Sequence, residues 1–324
     1  MMRNARATLA QTFAVLLAAF AATSAFGQPW PSKPLRLVVP LGAGGNADAV
    51  ARAVAQGLSD QLGQPVVVEN RPGAAGNIGM EHVARAAADG YTILFAVTGI
   101  TINPALYRMS FDPATDLAPV VQLNKVNLAL FARAGLAANS PREVLALARQ
   151  PGVQLSCAST GGATQLGCGL FEVAAGVPVT QVLYKGPVQA LTDLASGNVD
   201  LAVDIPQAAR PFIALGRVKA IGTSGPHAER TVVGNLPPLS ELHPAFVLPG
   251  WHGLFVPAGT PPVVIDRINT EVNELLKTAT LRAKFESAGL VAVGGSVAAF
   301  AQLVQQDRER YRRIADITGL SHKD

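Results

Sequence analysis

Short apolar runs and amphipathic helical patterns alternate along this chain, and the alternation occurs twice. Leu35-Arg36-Leu37-Val38-Val39 reads as a strand buried on both faces and ended by Pro40. After the loop Leu41-Gly42-Ala43-Gly44-Gly45-Asn46 the period changes. Val50, Val54, Leu58 and Leu62 recur every four residues, which predicts a helix from Ala47 with Asn46 as its N-cap. Strands follow at 65–68 and 91–97, on either side of a helix centred on Met80 to Ala87. Strand, helix, strand with short connections implies a mostly parallel sheet covered on both faces.

Two strand-like runs between Val120 and Ala132 follow one another without a helix, and the chain is expected to leave its first lobe there. The alternation then resumes. Ser140-Pro141-Arg142-Glu143 is a capping box with proline at N1. Strands are expected at 153–158, 179–184, 199–203 and 218–223, with helices at 164–175, 187–196 and 207–215 between them. Residues 225–249, rich in Pro, Gly and polar side chains, read as irregular, and 251–256 as extended. Two closing helices, capped by Thr260 and Ser296, have little sheet of their own to cover and should pack back onto the first lobe. The expected result is two α/β lobes with crossings near 124–127 and 245–250 and a cleft between them. Residues 28–125 plus 248–324 form lobe one in this reading, and 126–247 lobe two.

The first 27 residues read as a removable secretion signal: Arg3 and Arg6, then an apolar stretch from Leu9 to Ala22, then Ala25-Phe26-Gly27 as a cleavage site. The apolar stretch is 14 residues, short of the ~20 a membrane span needs. A soluble protein of an export compartment, most simply a bacterial periplasm, is expected. The composition is 49% hydrophobic and 15% charged, which excludes intrinsic disorder. The formal charge of +4 falls to +2 once Arg3 and Arg6 are removed, and no basic stripe appears, so no nucleic-acid partner is expected.

Cys157 and Cys168, eleven apart, read either as a disulfide or as two small buried apolar side chains. No CxxC or HxxxH spacing occurs, so neither a metal nor any other cofactor is expected. Gly42 to Ala47 does match the dinucleotide fingerprint G-x-G-x-x-A, with Glu69 closing the next strand. Pro40-Leu41 between strand and first glycine, and the export signal, weigh against that reading. The alternative is a loop whose backbone and helix-start N–H groups hold an anion. Similar Gly-, Ser- and Thr-rich connections at 71–79, 98–104, 159–164 and 184–186 all fall on the expected C-terminal edge of a sheet. Lys185 reads as a surface group before a ligand contact, and His252 beside Trp251 as structural. No G-x-S-x-G elbow is present, and a hydrolase built on Ser159 or Thr164 would lack a base nearby in sequence.

Ordered motifs run through nearly the whole chain. They include Pro29-Trp30-Pro31-Ser32-Lys33-Pro34, Gly44-Gly45-x-x-Asp48, Val66-Val67-Val68-Glu69-Asn70-Arg71-Pro72-Gly73, Asp89-Gly90-Tyr91-Thr92 and Asn103-Pro104. Later come Tyr184-Lys185-Gly186, Ala190-Leu191-Thr192-Asp193-Leu194 and Trp251-x-Gly253-Leu254-Phe255-x-Pro257-Ala258-Gly259-Thr260-Pro261. With these the chain resembles the Bug family of periplasmic solute-binding receptors, which serve tripartite tricarboxylate transporters. The resemblance implies a type II, Venus-flytrap periplasmic binding protein with a mixed, mostly parallel sheet in each lobe. It implies a monomeric, non-enzymatic receptor that closes on a small carboxylate and delivers it to membrane transporter subunits. A sensor for a membrane kinase would share the fold.

The ligand contacts carried over are Gly42, Ala43, Gly44, Gly45 and Asn46, with Asp48 holding that loop. In lobe two they are Ser159, Thr160, Gly161, Gly162, Ala163 and Thr164, and Thr98, Thr101, Asn103 and Asp204 line the rest. The chain departs from the family where Gln165 replaces an expected His and Gly169 a frequent Glu, and the loop before them looks shortened.

Overall fold

Nine-residue and longer apolar strands are few here, and two separate sheets share the burial. In the computed structural model, residues 30–225, 227 and 229–322 are described. The expected signal, residues 1–27, lies outside them.

The first sheet begins with β1 (Leu35–Val39), followed by α1 (Asn46–Leu62), β2 (Val66–Asn70), α2 (Asn77–Ala84), β3 (Thr92–Val97) and α3 (Gly99–Leu106). The chain then runs through β4 (Leu117–Asn127) and directly into β5 (Ala129–Arg133), the first strand of the second sheet. There follow α4 (Pro141–Ala148), β6 (Ser156–Ser159), α5 (Ala163–Ala175), β7 (Thr180–Leu183), α6 (Pro187–Ser196), β8 (Leu201–Asp204), α7 (Pro206–Ala214) and β9 (Val218–Thr223). A small hairpin, β10 (Glu229–Thr231) and β11 (Gly234–Leu236), precedes the return through β12 (Pro249–Pro257). The chain closes with α8 (Pro262–Lys277), α9 (Ala279–Ser287), β13 (Val291–Ala292) and α10 (Val297–Ile317).

The sheet orders are β13-β4-β12-β3-β1-β2 and β7-β6-β8-β5-β9. Both sheets are mixed. β1 pairs parallel with β2 and β3, and β6 parallel with β7 and β8. The parallel share is smaller than the expected majority, because the strands that cross between lobes pair antiparallel: β12 with β3 and β4, and β5 with β8 and β9.

Helices cover both faces of each sheet. The stripe Val50, Val54, Leu58 and Leu62 on α1 meets Val264, Ile268 and Val272 of α8 over one face of sheet one. Met80 and Val83 of α2 lie on the other face with Trp251 and Phe300. In sheet two, Leu166 and Phe171 of α5 share a cluster distinct from that of Leu191 and Leu194 of α6. Consecutive helices thus lie on opposite faces. This puts a switch point between β1 and β3 in one lobe, and between β6 and β8 in the other.

Several boundaries differ from the sequence reading. Asn46 begins α1 and does not cap it; Gly45 holds the cap position without a side-chain bond, and Asn46 Nδ2 donates to the Ala288 carbonyl. The Thr260 hydroxyl donates to the Pro257 carbonyl, and α8 starts behind Pro261. Residues 99–106 form a helix where a loop was expected. The closing helix α10 does not stay on lobe one: Phe300 packs there, but Tyr311, Ile314 and Ala315 join the lobe-two core. Its 21 residues give a rod of roughly 31 Å, long enough to pass both sheets.

Candidate functional site

A cavity of about 1290 Å³ lies between the two sheets, where both switch points open. Lobe one contributes the end of the β1–α1 loop (Leu41, Gly42), the segment 72–77 and the start of α3. Lobe two contributes Thr160 to Thr164 ahead of and within α5, then Leu183 to Lys185 and Ile205. Val126, Leu128 and Gly250 to His252, at the two crossings, form the floor.

The lobe-two loop exists because of its glycines. Gly161 and Gly162 sit at φ +93° and +55°, backbone that a side chain disfavours. A Cβ at Gly161 would lie 3.6 Å from the Tyr107 hydroxyl of the opposite lobe. The loop is pinned from within: Thr164 Oγ1 accepts from the Thr160 N–H at 2.8 Å and donates to the Gly161 carbonyl at 2.9 Å. Among the described residues, the N–H groups of Gly42, Gly161 and Gly162 donate to no protein acceptor. The helices α2, α3 and α5 each present their N-terminal turn to the cavity through Asn77, Gly99 and Ala163, and such ends favour an anion.

The first-lobe loop is held by Asp48. Its carboxylate accepts from the Gly44 N–H (2.9 Å), Arg52 Nε (3.0 Å) and Asn70 Nδ2 (2.9 Å). Burial acts to raise this group, but Arg52, the Gly44 N–H and Asn70 outweigh it and hold Asp48 below the usual carboxylate range. The consequence is that the Gly44 N–H is already spent.

The segment before α2 carries strain. Ala74 and Ala75 both lie in the left-handed region, at φ +48° and +55°. Each such residue costs roughly 1–2 kcal/mol. They are held by Asn103, whose Nδ2 donates to the Ala75 carbonyl and to Asn77 Oδ1. Strain of this kind concentrates where a ligand is clamped.

Of the sixteen positions expected to touch ligand, Gly42, Thr98, Asn103, Thr160, Gly161, Gly162, Ala163 and Thr164 line the cavity. Ala43, Gly44, Gly45, Asn46 and Asp48 lie behind Gly42 in the same loop and outside the lining. Thr101 faces away, its hydroxyl donated to the Thr98 carbonyl, and borders a separate surface hollow beside α10. Ser159 and Asp204 end their strands buried just behind the wall. Burial pushes Asp204 up to about 6, and the Ile205 N–H only partly offsets it. The Thr98 hydroxyl is engaged with the N–H and carbonyl of Trp251. Cys157 and Cys168 are joined as a disulfide, both buried, linking β6 to α5 beside the glycine loop.

Sequence reasoning left out Tyr107 and Arg108 after α3, and set aside His252 as structural and Lys185 as a surface group. All four line the cavity. Arg108 and Lys185 are exposed and have no acidic partner among the described residues. No carboxylate side chain lines the cavity at all. An Asp or Glu in that wall would have been the mark of a cation site.

Two mixed α/β lobes, crossed twice, with a cleft at their paired switch points define a two-lobe periplasmic binding protein. The solved structure of periplasmic binding protein BugD superimposes with a TM-score of 0.78 at 30% identity, covering 91% of this chain and 100% of that one. Rpa4515 of R. palustris, solved with adipate, gives 0.81 at 32% identity over 90% of this chain and 99% of its own. By sequence, BugT of Bordetella pertussis is 30% identical over 315 residues, 94% of this chain and 96% of that protein. The profile of the family described as "Tripartite tricarboxylate transporter family receptor" matches residues 50–320. The chain belongs to this family, in its Bug branch. Among the described residues no helix is long and apolar enough to cross a membrane.

Proposed function

We propose that the protein captures a small organic carboxylate in the interlobe cleft, in the periplasm after removal of residues 1–27, and delivers it as a monomer to the membrane subunits of a tripartite tricarboxylate-type transporter. One observation carries the reading: the cleft is lined by unspent main-chain donors from both lobes and by two unpaired cations, and by no carboxylate. The adipate held by the related R. palustris protein agrees with it. Hydrogen bonds to a charged group contribute about 1.5–3 kcal/mol each, so three or four donors bring a carboxylate to micromolar affinity, about −8 kcal/mol. Gly42, Thr98, Asn103 and Thr160 to Thr164 are the contacts in this reading. Ala43, Gly44, Gly45, Asn46 and Asp48 set the shape of the first loop, and Thr101, Ser159 and Asp204 back the wall.

The protein binds without transforming its ligand. The Thr164 hydroxyl gives its proton to the Gly161 carbonyl, not to a base, and Ser159 is buried. Neither is poised as a nucleophile.

Thermal-shift titration against a panel of mono- and dicarboxylates tests the proposal. A ligand at one hundred times its dissociation constant adds about 2.7 kcal/mol of stability. Gly161→Val puts a branched side chain at φ +93° against Tyr107 and should abolish the ligand-induced shift while the unliganded protein stays folded. A panel in which no carboxylate moves Tm, or a Gly161→Val protein that responds like wild type, defeats the proposal.

A further inference from the structure

We propose that His252 is the residue that selects among carboxylates: its Nε2–H is a fixed, uncharged donor in the cleft floor for an acceptor oxygen that the ligand carries away from its first carboxylate. The proposal rests on the cleft being the capture site and adds the ligand class, a carboxylate with an apolar body and a remote oxo or carboxyl oxygen.

The tautomer follows from the neighbouring strand. His252 on β12 lies opposite Asn124 on β4 and Val97 on β3. Asn124 is fully buried, and its Oδ1 accepts from the His252 backbone N–H at 3.3 Å. That contact fixes which end of the amide faces the ring, so Asn124 Nδ2 meets His252 Nδ1 at 3.1 Å. An amide NH2 only donates, hence Nδ1 accepts, and in the neutral ring the proton is on Nε2. Burial keeps the ring neutral by pushing its pKa down to about 4.

The donor is left over. Among the described residues Nε2 has no hydrogen-bond partner, while the residue lines the cavity. The ring is held in place by Phe95, with centroids 5.1 Å apart. Its surroundings in the wall are Val97, Val126 and Trp251, none of which offers a side-chain acceptor. The pairing of β12 with β4 slips its register between His252 and Gly253. Irregularities of this kind re-aim one side chain beside a binding site.

A single donor in an apolar wall discriminates. A ligand with an acceptor opposite Nε2 makes the bond, and one without it leaves the N–H dry and unpaired. The difference is worth about ten- to a hundredfold in affinity.

The experiment measures dissociation constants by calorimetry for two matched pairs, hexanoate with 5-oxohexanoate and benzoate with 4-acetylbenzoate, and for adipate. It uses the mature protein, His252→Phe and His252→Gln. In wild type the oxo acid of at least one pair should bind about tenfold or more tighter than its partner. His252→Phe should bring that ratio to within about twofold while the plain acid binds as before, and His252→Gln, which keeps an N–H donor, should restore part of it. If wild type binds plain and oxo acids alike, or if His252→Phe keeps the ratio, the role given to His252 is wrong while the capture reading stands. If wild type binds none of the five acids, both fall together. Unchanged melting temperatures within a few degrees in the two variants separate loss of selectivity from loss of fold.

Discussion

Asp48 and Asp204 are two carboxylates at the edges of the same cleft with opposite titrations. Asp48 is held low by Arg52, the Gly44 N–H and Asn70 against the cost of its burial. It therefore stabilises the fold at neutral pH, and that contribution is lost as acid brings the pH down through its folded value. Asp204 is raised to about 6 by burial, with the Ile205 N–H as its hydrogen-bond donor. The folded state binds the extra proton between about 4 and 6, so stability from this group falls as pH rises through that window. The penalty is complete above it, on the order of 3 kcal/mol for a shift of about two units. Asp204→Asn removes the charge and keeps an oxygen for the Ile205 N–H. It should raise Tm at pH 7.5 by several degrees, and the gain should vanish below about pH 4. A gain that is equal at both pH values would mean the burial of the charge is not its cause.

At the scale of elements, the glycine loop before α5 is framed by a covalent tie. The Cys157–Cys168 bridge closes a loop of eleven residues across β6 and the first turns of α5. Chain-entropy arguments give about 3 kcal/mol for a loop of this size. The double variant Cys157→Ala/Cys168→Ala should lower Tm by several degrees and weaken carboxylate binding, since Gly161 and Gly162 lose their anchor. Equal Tm for the oxidised and double-alanine proteins would show the bridge contributes nothing. Much of this neighbourhood is legible in sequence. The period-four stripe of α1, the capping box at Ser140 and Glu143, and the alternation around β6 each encode their element locally. What escapes is set by distant partners. Residues 99–106 read as loop because Gly99, two β-branched isoleucines and Pro104 disfavour a helix, yet burial of Ile100 and Ile102 imposes one. Gly169, where relatives often carry Glu, makes room for the end of α10: a Cβ there would come within 2.9 Å of Thr318 Cβ. No local signal could announce a helix arriving from 150 residues away. The site was readable to the same extent: the glycine loops announce themselves, whereas Tyr107, Arg108 and His252 join the cleft only through topology.

At the scale of the whole molecule, the two lobes meet at a compact joint, and Trp251 stands in it. The crossings at Leu128 and Leu248 are stitched side by side by Ser224, whose hydroxyl accepts from the Leu128 N–H and donates to the Leu248 carbonyl. Helix α10 braces the joint from one side: the Tyr311 hydroxyl donates to the Pro249 carbonyl, and Asp307 accepts from the Trp251 indole N–H at 2.8 Å. The Trp251 backbone is bound to the Thr98 hydroxyl of the cavity wall, and its ring meets Phe300 edge-on, with centroids 5.2 Å apart. Closure of the lobes must turn the chain at these crossings, and Trp251 joins the cavity floor to the bracing helix. Carboxylate capture should therefore change intrinsic tryptophan fluorescence saturably, with the same dissociation constant that the thermal shift reports. The chain has two tryptophans, and Trp30 lies outside the cavity lining. Trp30→Phe should keep the ligand-dependent change and Trp251→Phe should lose it, while the latter still binds by calorimetry. A change that survives Trp251→Phe, or calorimetric binding to wild type with silent fluorescence, would place the moving joint elsewhere than at Trp251.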